Sequence, residues 1–494
     1  MAGAAVPLTE TTGETEESAA GKAMQRVRDS RARWVELFYT DVLGGYNHVH
    51  IPTEALEPDA FTEGIPKLDG SSVPGFRRIF ESDMILLPDP STFADVPWGV
   101  EQGGTARFIC DVLEGSTREP YPHDPRGVAR RASEALAGAG YDRSYWGPEI
   151  EFFVFDHVRL LPTPDAVRDA WGGAGYEIES AEAPWGASNG HAPIRFKEGY
   201  QRAAPVDALE GLRGHIGNVL RDSFHIRLDA HHHEVATAGQ CEINVRFDEL
   251  LPAADHIQDV RYVIKNVAKL HGQIATFMPK PVFGDNGLGM HMNQSLWSGD
   301  ANAFYDPEDP YAEISQTCRY YVGGLLEHAR ALCAITNPTT NSYRRLVPGY
   351  EAPVYIAWSR ANRSANVRIP CYHRGRPASK RIEYRTPDSA ANIYLTEAAL
   401  AMAGLDGIKR KIDPGNPVDE DIFKLPAHRR KELGIRELPG SLSEALECLE
   451  SDAEFLRPVM PESLLEVYKE IKRDEQLQLD LRPHPYEFYR YLDC

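Results

Sequence analysis

From Gly147 to Phe155 the chain reads Gly-Pro-Glu-Ile-Glu-Phe-Phe-Val-Phe, apolar enough to require burial yet carrying glutamates at 149 and 151. Alternate residues of a strand share a face, so a strand here projects Glu149 and Glu151 together. Two carboxylates side by side in a core are costly unless cations satisfy them. Hard oxygen donors so placed suit Mg2+ or Mn2+. An edge strand with one solvated face explains the same pattern without a metal.

Three further segments carry chemistry. In His231-His232-His233-Glu234-Val235-Ala236-Thr237-Ala238-Gly239-Gln240-Cys241-Glu242, two glutamates flank small residues able to turn the chain back. Adjacent histidines rarely point the same way, so the segment reads as two more carboxylates with histidine support rather than as a zinc site. In Phe283-Gly284-Asp285-Asn286-Gly287-Leu288-Gly289-Met290-His291 the glycines let backbone approach a ligand, though the spacing fits neither a P-loop nor a dinucleotide fingerprint. His291 is either a metal ligand or a core histidine. Arginines 344, 345, 363, 368, 381 and 385 lie in apolar or strand-like sequence, with Glu383 among them. Guanidinium groups grip phosphates and carboxylates in paired hydrogen bonds, so the set reads as a local anion site or as structural ion pairs. Acid clusters with buried arginines describe a metal–phosphate site.

The rest of the chain sets the frame. At 494 residues it exceeds one simple core. Residues 1–23 read as a disordered tail, acidic and short of large apolar side chains. Residues 24–118 read as a small unit of strands and turns, and three prolines between 120 and 125 mark a boundary. Residues 119–494 form a larger mixed unit, with helices expected at 126–139, 254–276, 316–333 and 397–411 and an irregular surface excursion at 156–199. Strands and helices do not alternate regularly, so the class is α+β. Net charge is −20, from 53 Lys plus Arg against 73 Asp plus Glu. That balance argues against nucleic acid as a partner. No apolar run is long enough for a membrane span and no secretion signal stands out, so the expected location is cytoplasmic. Seven scattered cysteines fit reduced thiols.

In order along the chain, Leu68-Asp69-Gly70-Ser71-Ser72, the Glu149/Glu151 strand, His-His-Glu…Glu and the glycine loop ending in His291 resemble the type I glutamine synthetase family. So do the 341–352 flap, Asn362-Arg363-Ser364, Arg381-Ile382-Glu383-Tyr384-Arg385 and Ala403-Gly404-Leu405-Asp406-Gly407. The resemblance runs from about residue 24 to the end. It implies an N-terminal β-grasp domain, a catalytic domain with a curved antiparallel sheet, and a dodecamer of two hexameric rings with active sites between neighbours. It implies ATP-dependent joining of ammonia to L-glutamate through γ-glutamyl phosphate, with two or more Mg2+ or Mn2+ ions.

By the same resemblance, Glu151, Glu234 and Glu242 hold one metal, and Glu149, His291 and Glu383 the other. Arg345 and Arg385 meet glutamate, beside Asn286 and Gly287. Arg363, Arg368 and Arg381 meet the nucleotide and moving phosphoryl group, with Tyr200, Asp229, Asn293 and Ser295 nearby. Asp69 serves the neighbouring subunit's site by binding ammonium, and Glu351 on the flap excludes water and takes a proton. Departures from the family pattern are Asn293 for a usual histidine, Leu288 for a small residue and Cys241 for an asparagine. Phe423 falls where the family has an adenylylated tyrosine, which implies that this control is absent. The nearest rival is a relative joining glutamate to methylamine, a polyamine or ethanolamine. More distant rivals are a silent regulatory member of the fold and an unrelated two-metal phosphotransferase or nuclease.

Overall fold

Strands β1 (Trp34–Thr40) and β6 (Thr105–Glu114) are buried on both faces, which places them inside a sheet rather than at its edge. The computed structural model describes residues 13–77, 79–162, 173–186, 192–371 and 374–494. In the first sheet the order is β2-β1-β6-β4-β3, with β2 at Tyr46–Pro52, β3 at Ile65–Asp69 and β4 at Asp83–Pro88. The short β5 (Ala94–Val96) also pairs with β6. Only β1 and β6 run parallel; the other pairs are antiparallel.

A helix spans Gly13–Ser30, which corrects the expected tail to residue 23. Residues 1–12 lie outside the described residues. Ala20, Ala23 and Val27 are buried at helical spacing, so small side chains supply the packing face that a search for large apolar residues passes over.

The second sheet has the order β10-β11-β7-β14-β19-β18-β17. Its members are β7 (Arg143–Phe155), β10 (Leu228–His233), β11 (Gln240–Val245), β14 (Met290–Ser298), β17 (Trp358–Arg360), β18 (Val367–Ile369) and β19 (Ile382–Tyr384). Short strands β12 (Asp248–Glu249), β13 (Ile274–Thr276) and β15 (Ala301–Asn302) pair onto its rim. All neighbours are antiparallel except β17 with β18. Two small pairs lie apart: β8 (His157–Pro162) with β9 (Gly173–Glu179), and β16 (Tyr355–Ile356) with β20 (Arg436–Glu437).

The pleat of β7 sorts its residues. Ser144, Trp146, Ile150 and Phe152 are buried on one face, toward helix Leu250–Leu270, while Tyr145, Gly147 and Glu149 alternate onto the open face. Each large apolar side chain so buried contributes about 1.5–3 kcal/mol. Helix Pro125–Gly138 crosses from the first sheet and packs on helix Ile393–Arg410. Its buried Arg126 pairs with Asp89 (2.7 Å) and Asp111 (2.7 Å) of the first unit and with Asp255 (2.8 Å) of the second. One guanidinium thus ties the two units together. The class is α+β, as expected.

Two expected helices end differently. Helix Leu250–Leu270 stops before 276 because Gly272 turns at φ 74° into β13. The expected helix 316–333 is two, Gln316–Glu327 and Ala329–Thr336, broken at His328. That ring is held by Asp406 (2.9 Å) and Asp452 (2.9 Å) and stacks on Phe455. The excursion at 156–199 carries the β8–β9 hairpin; its stretches 163–172 and 187–191 lie outside the described residues. No helix among the described residues is long and apolar enough to cross a membrane.

Candidate active site

Cross-strand register, not closeness in sequence, assembles the site. Glu149 on β7 faces Asn244 on one side and His291 on the other. Glu151 pairs with Glu242, and Glu242 in turn with His232. Glu383 on β19 sits opposite Asn293 and Arg368. Glu149, Glu151, Glu234, Glu242, His291 and Glu383 therefore line one cavity of about 830 Å³.

Within it the donor atoms form two groups. Glu149, His291 and Glu383 lie within 4.8 Å of one another, with His291 Nδ1 3.4 Å from Glu149 and 3.7 Å from Glu383. The second compact group is His232, Glu234 and Glu242, with Glu151 beside it. Three adjacent histidines do not share a metal, since alternation splits them. His232 turns to the cavity, whereas His233 is buried and contacts Glu182 at 3.1 Å. Glu234 follows β10 at the start of a turn closed by Ala238 (φ 60°) and Gly239 (φ 84°), which brings the chain back to Glu242.

The carboxylates are poised for a cation. Burial, then the Glu242 charge, pushes Glu151 up to about 7 despite His291 nearby. Burial, Glu151 and Glu242 push Glu234 well above the usual carboxylate range. Burial works against ionisation of Glu383 too, but Arg385, His291 and Arg368 hold it down at about 2. The set of carboxylates and one imidazole in each group fits Mg2+ or Mn2+, and crowded acids are what a divalent charge relieves.

Gly287 and Gly289 permit this crowding. A Cβ on Gly289 would meet His291 Nε2 at 2.8 Å and Glu151 Oε1 at 2.9 Å; one on Gly287 would meet the Pro279 carbonyl at 2.5 Å. Buried Asp285 fixes the loop by accepting from the amides of Lys197 (3.1 Å) and Thr237 (2.8 Å). Asn286 Oδ1 is buried in the same wall with no partner among the described residues.

The arginines surround the acids. Arg368 and Arg385 both pair with Glu383. Arg345 donates to the Thr386 carbonyl at 2.7 Å and lines the cavity with Asn286, Gly287, Arg363 and Arg381. Glu351, at φ 62° in the flap, also lines it, as do Tyr200 and Phe423. Lys197 and Lys280 lie over the ring of Tyr350 at 4.3 and 3.8 Å, so the flap is drawn onto the glycine loop by cation–π contacts.

A second cavity of about 1070 Å³ shares Glu149, Asn244 and Arg381 with the first and contains Asp229, Asn293 and Ser295. Tyr145, Phe247 and Trp297 form an aromatic wall there. Asn293 stands at the junction. Its Nδ2 donates to Glu149 Oε1 (3.0 Å) and its Oδ1 accepts from Arg381 Nε (2.9 Å). Asn293→Ala removes a hydrogen bond to a charged group, about 1.5–3 kcal/mol. Urea unfolding of Asn293→Ala is expected to show a loss of stability of about that size, and an unchanged midpoint contradicts the contact.

Asp69 lies apart: it is exposed in the first unit and lines neither cavity, its carboxyl held low by hydrogen bonds from Ser71. Cys241 points away from the acids into the core, 3.4 Å from Arg213, and Leu288 is fully buried, so neither departure touches a ligand. Residues that sequence reasoning missed are His232 as a donor and two supports. Gln240 donates to Glu151 (2.8 Å), and Asn244 donates to Glu242 (2.7 Å). Only strand register reveals the supports, since nothing in their local sequence marks them.

A family model described as glutamine synthetase, catalytic domain, matches residues 122–491, and one described as glutamine synthetase, beta-Grasp domain, matches 31–115. The chain is 52% identical over 474 residues to a glutamine synthetase of Sulfolobus acidocaldarius, covering 96% of this chain and 98% of that protein. It is 44% identical to one of Frankia alni, covering 95% and 98%. Its fold superposes on a Plasmodium falciparum glutamine synthetase with a TM-score of 0.84 at 25% identity, covering 96% and 98% of the two chains. It superposes on a GmaS/ADP complex with a TM-score of 0.79 at 27% identity, covering 96% and 99%.

Proposed function

The chain belongs to the glutamine synthetase family, and on that premise we propose that it joins ammonia to the γ-carboxylate of L-glutamate, converting ATP to ADP and phosphate. The observation that carries this reading is the one cavity that Glu149, Glu151, Glu234, Glu242, His291 and Glu383 line together with six arginines. A carboxylate resists attack by an amine. Transfer of the ATP γ-phosphoryl group to a glutamate oxygen gives γ-glutamyl phosphate and ADP, and ammonia then attacks the carbonyl carbon as phosphate leaves.

The residues divide this work by position. Arg345 and Arg385, with Asn286 and Gly287, hold glutamate by its carboxylates. Arg363, Arg368 and Arg381 meet the phosphoryl oxygens, where permanent planar charge stabilises the transition state. The second cavity takes the nucleotide: its aromatic wall offers stacking for a base, and Asp229 and Ser295 offer polar contacts. Tyr200 stands over His232 at 5.4 Å, at the phosphate end. Glu149, His291 and Glu383 hold one Mg2+ or Mn2+ ion, and Glu151, Glu234 and Glu242 with His232 hold another. When bound, such ions polarise phosphoryl oxygens and offset their charge. Glu351 shields the acyl phosphate from water and accepts a proton from the attacking nitrogen.

Asp69 lines neither cavity of its own chain and faces solvent, which supports a role in a neighbouring subunit, binding ammonium. The reading includes a cytoplasmic dodecamer of two hexameric rings with active sites between subunits. It also includes residues 24–118 as the β-grasp domain and 119–494 as the catalytic domain. Phe423 has no hydroxyl to adenylylate, so that control is absent.

Mass spectrometry of the product, with ATP, glutamate and ammonium as the only amine, tests the reading. The expected product is glutamine with equimolar ADP. Product with methylamine, ethanolamine or a polyamine but none with ammonium overturns it.

A further inference from the structure

Away from the active-site cavity, one more group of side chains among the described residues offers three donor atoms within 4.8 Å of one another: Glu36, His48 and His50. Glu36 lies on β1 directly opposite His50 on β2, and His48, two residues earlier, shares the face of His50. His50 Nε2 is 2.6 Å from Glu36 Oε1, and His48 Nδ1 is 3.4 Å from that same oxygen. The two imidazole rings are 4.7 Å apart. Both reach solvent, with side chains 42% and 44% exposed, because β2 is an edge strand.

Glu36 itself is only 5% exposed, and its Oε2 is buried with no hydrogen-bond partner among the described residues. An ion pair with His50 accounts for one oxygen alone. It leaves the second desolvated and uncompensated, a net cost, and brings a second imidazole to an oxygen already engaged. A divalent ion among the three groups would offset the charge of this desolvated carboxylate and give both imidazoles one shared partner.

We propose that Glu36, His48 and His50 form a binding site for a transition-metal cation of the zinc type, separate from the active site and open to water at a fourth position. Two imidazoles and one carboxylate are the borderline donors that Zn2+ accepts in tetrahedral geometry. Mg2+ prefers oxygen alone, so this set discriminates against the ion suited to the catalytic cavity. The bound ion clips the edge strand β2 to β1, with the rings of Trp34 and Phe38 lying 6.3 and 5.0 Å from the two imidazoles as an apolar surround.

The test uses full-length protein stripped with chelator, refilled with excess Mg2+, and equilibrated with Zn2+ before gel filtration and elemental analysis. Wild type is expected to retain about one more zinc per chain than His50→Ala or His48→Ala. Loading Co2+ in place of zinc is expected to give visible bands of a four-coordinate ion that both variants lose. Because both histidines are exposed, the variants should keep wild-type circular dichroism and Mg2+-supported activity. Equal zinc in wild type and both variants overturns the proposal. So does extra zinc that His50→Ala retains and Glu242→Ala loses, because the ion then belongs to the catalytic cavity.

Discussion

Glu149→Ala is expected to lower kcat for glutamine formation by about 10³-fold or more while leaving the fold intact. A metal ion stabilises developing phosphoryl charge by several kcal/mol, and about 4 kcal/mol corresponds to that loss. In the proposed function Glu149 shares an ion with His291 and Glu383, whose donor atoms lie within 4.8 Å of its own, and the neighbouring Asn293 offers only an amide in its place. Its side chain is 28% exposed and lies on the open face of β7, so truncation opens no core cavity. Unfolding monitored by circular dichroism should shift by less than about 1 kcal/mol. Rapid-quench detection of acyl phosphate locates the defect at the first chemical step. A variant with wild-type kcat removes Glu149 from the catalytic set.

Glu383→Ala should abolish activity and also destabilise the chain, for a different reason. Glu383 is 1% exposed and lies between Arg368 and Arg385, so its removal leaves two inward guanidinium groups facing each other without the carboxylate between them. Breaking a buried pair in this way costs about 3–5 kcal/mol. Its pKa, held at about 2 by Arg385, His291 and Arg368 against the effect of burial, gives the pH signature. A carboxylate depressed in the folded state contributes stability above its unfolded value, about 4.3, and loses it as pH falls toward 2. The difference in urea midpoint between metal-free wild type and Glu383→Ala should therefore be full from neutral pH down to about 4.5 and should narrow below that. A difference that is constant with pH, or absent at pH 7, contradicts the arrangement of charges.

The strand pleat of Gly147–Phe155 was legible in the sequence because period-two alternation is local, and the structure keeps Glu149 and Glu151 on the cavity side. The turn between Glu234 and Glu242 and the close packing around Gly287 and Gly289 were legible for a similar reason, since small residues are needed where backbone turns or approaches. What local pattern does not carry is register. Glu383 meets Glu149 only through β14, which lies between their strands, and that pairing depends on partners 90 residues apart (Asn293 and Glu383) and 142 apart (Glu149 and His291). The same holds for Gln240 and Asn244, ordinary strand residues until their neighbours are known. His232 stood in plain view, but which histidine of three faces the cavity follows from the phase of β10. The helix over Gly13–Ser30 was obscured because alanines form its packing face.

The proposed chemistry needs two divalent ions held by these donors beside the arginines, and anomalous diffraction from crystals grown with Mn2+ tests for them most directly. The expected map has two manganese peaks in the cavity, one between Glu149, His291 and Glu383 and the other among Glu151, Glu234 and Glu242. A cavity without manganese, or peaks only elsewhere on the chain, contradicts it.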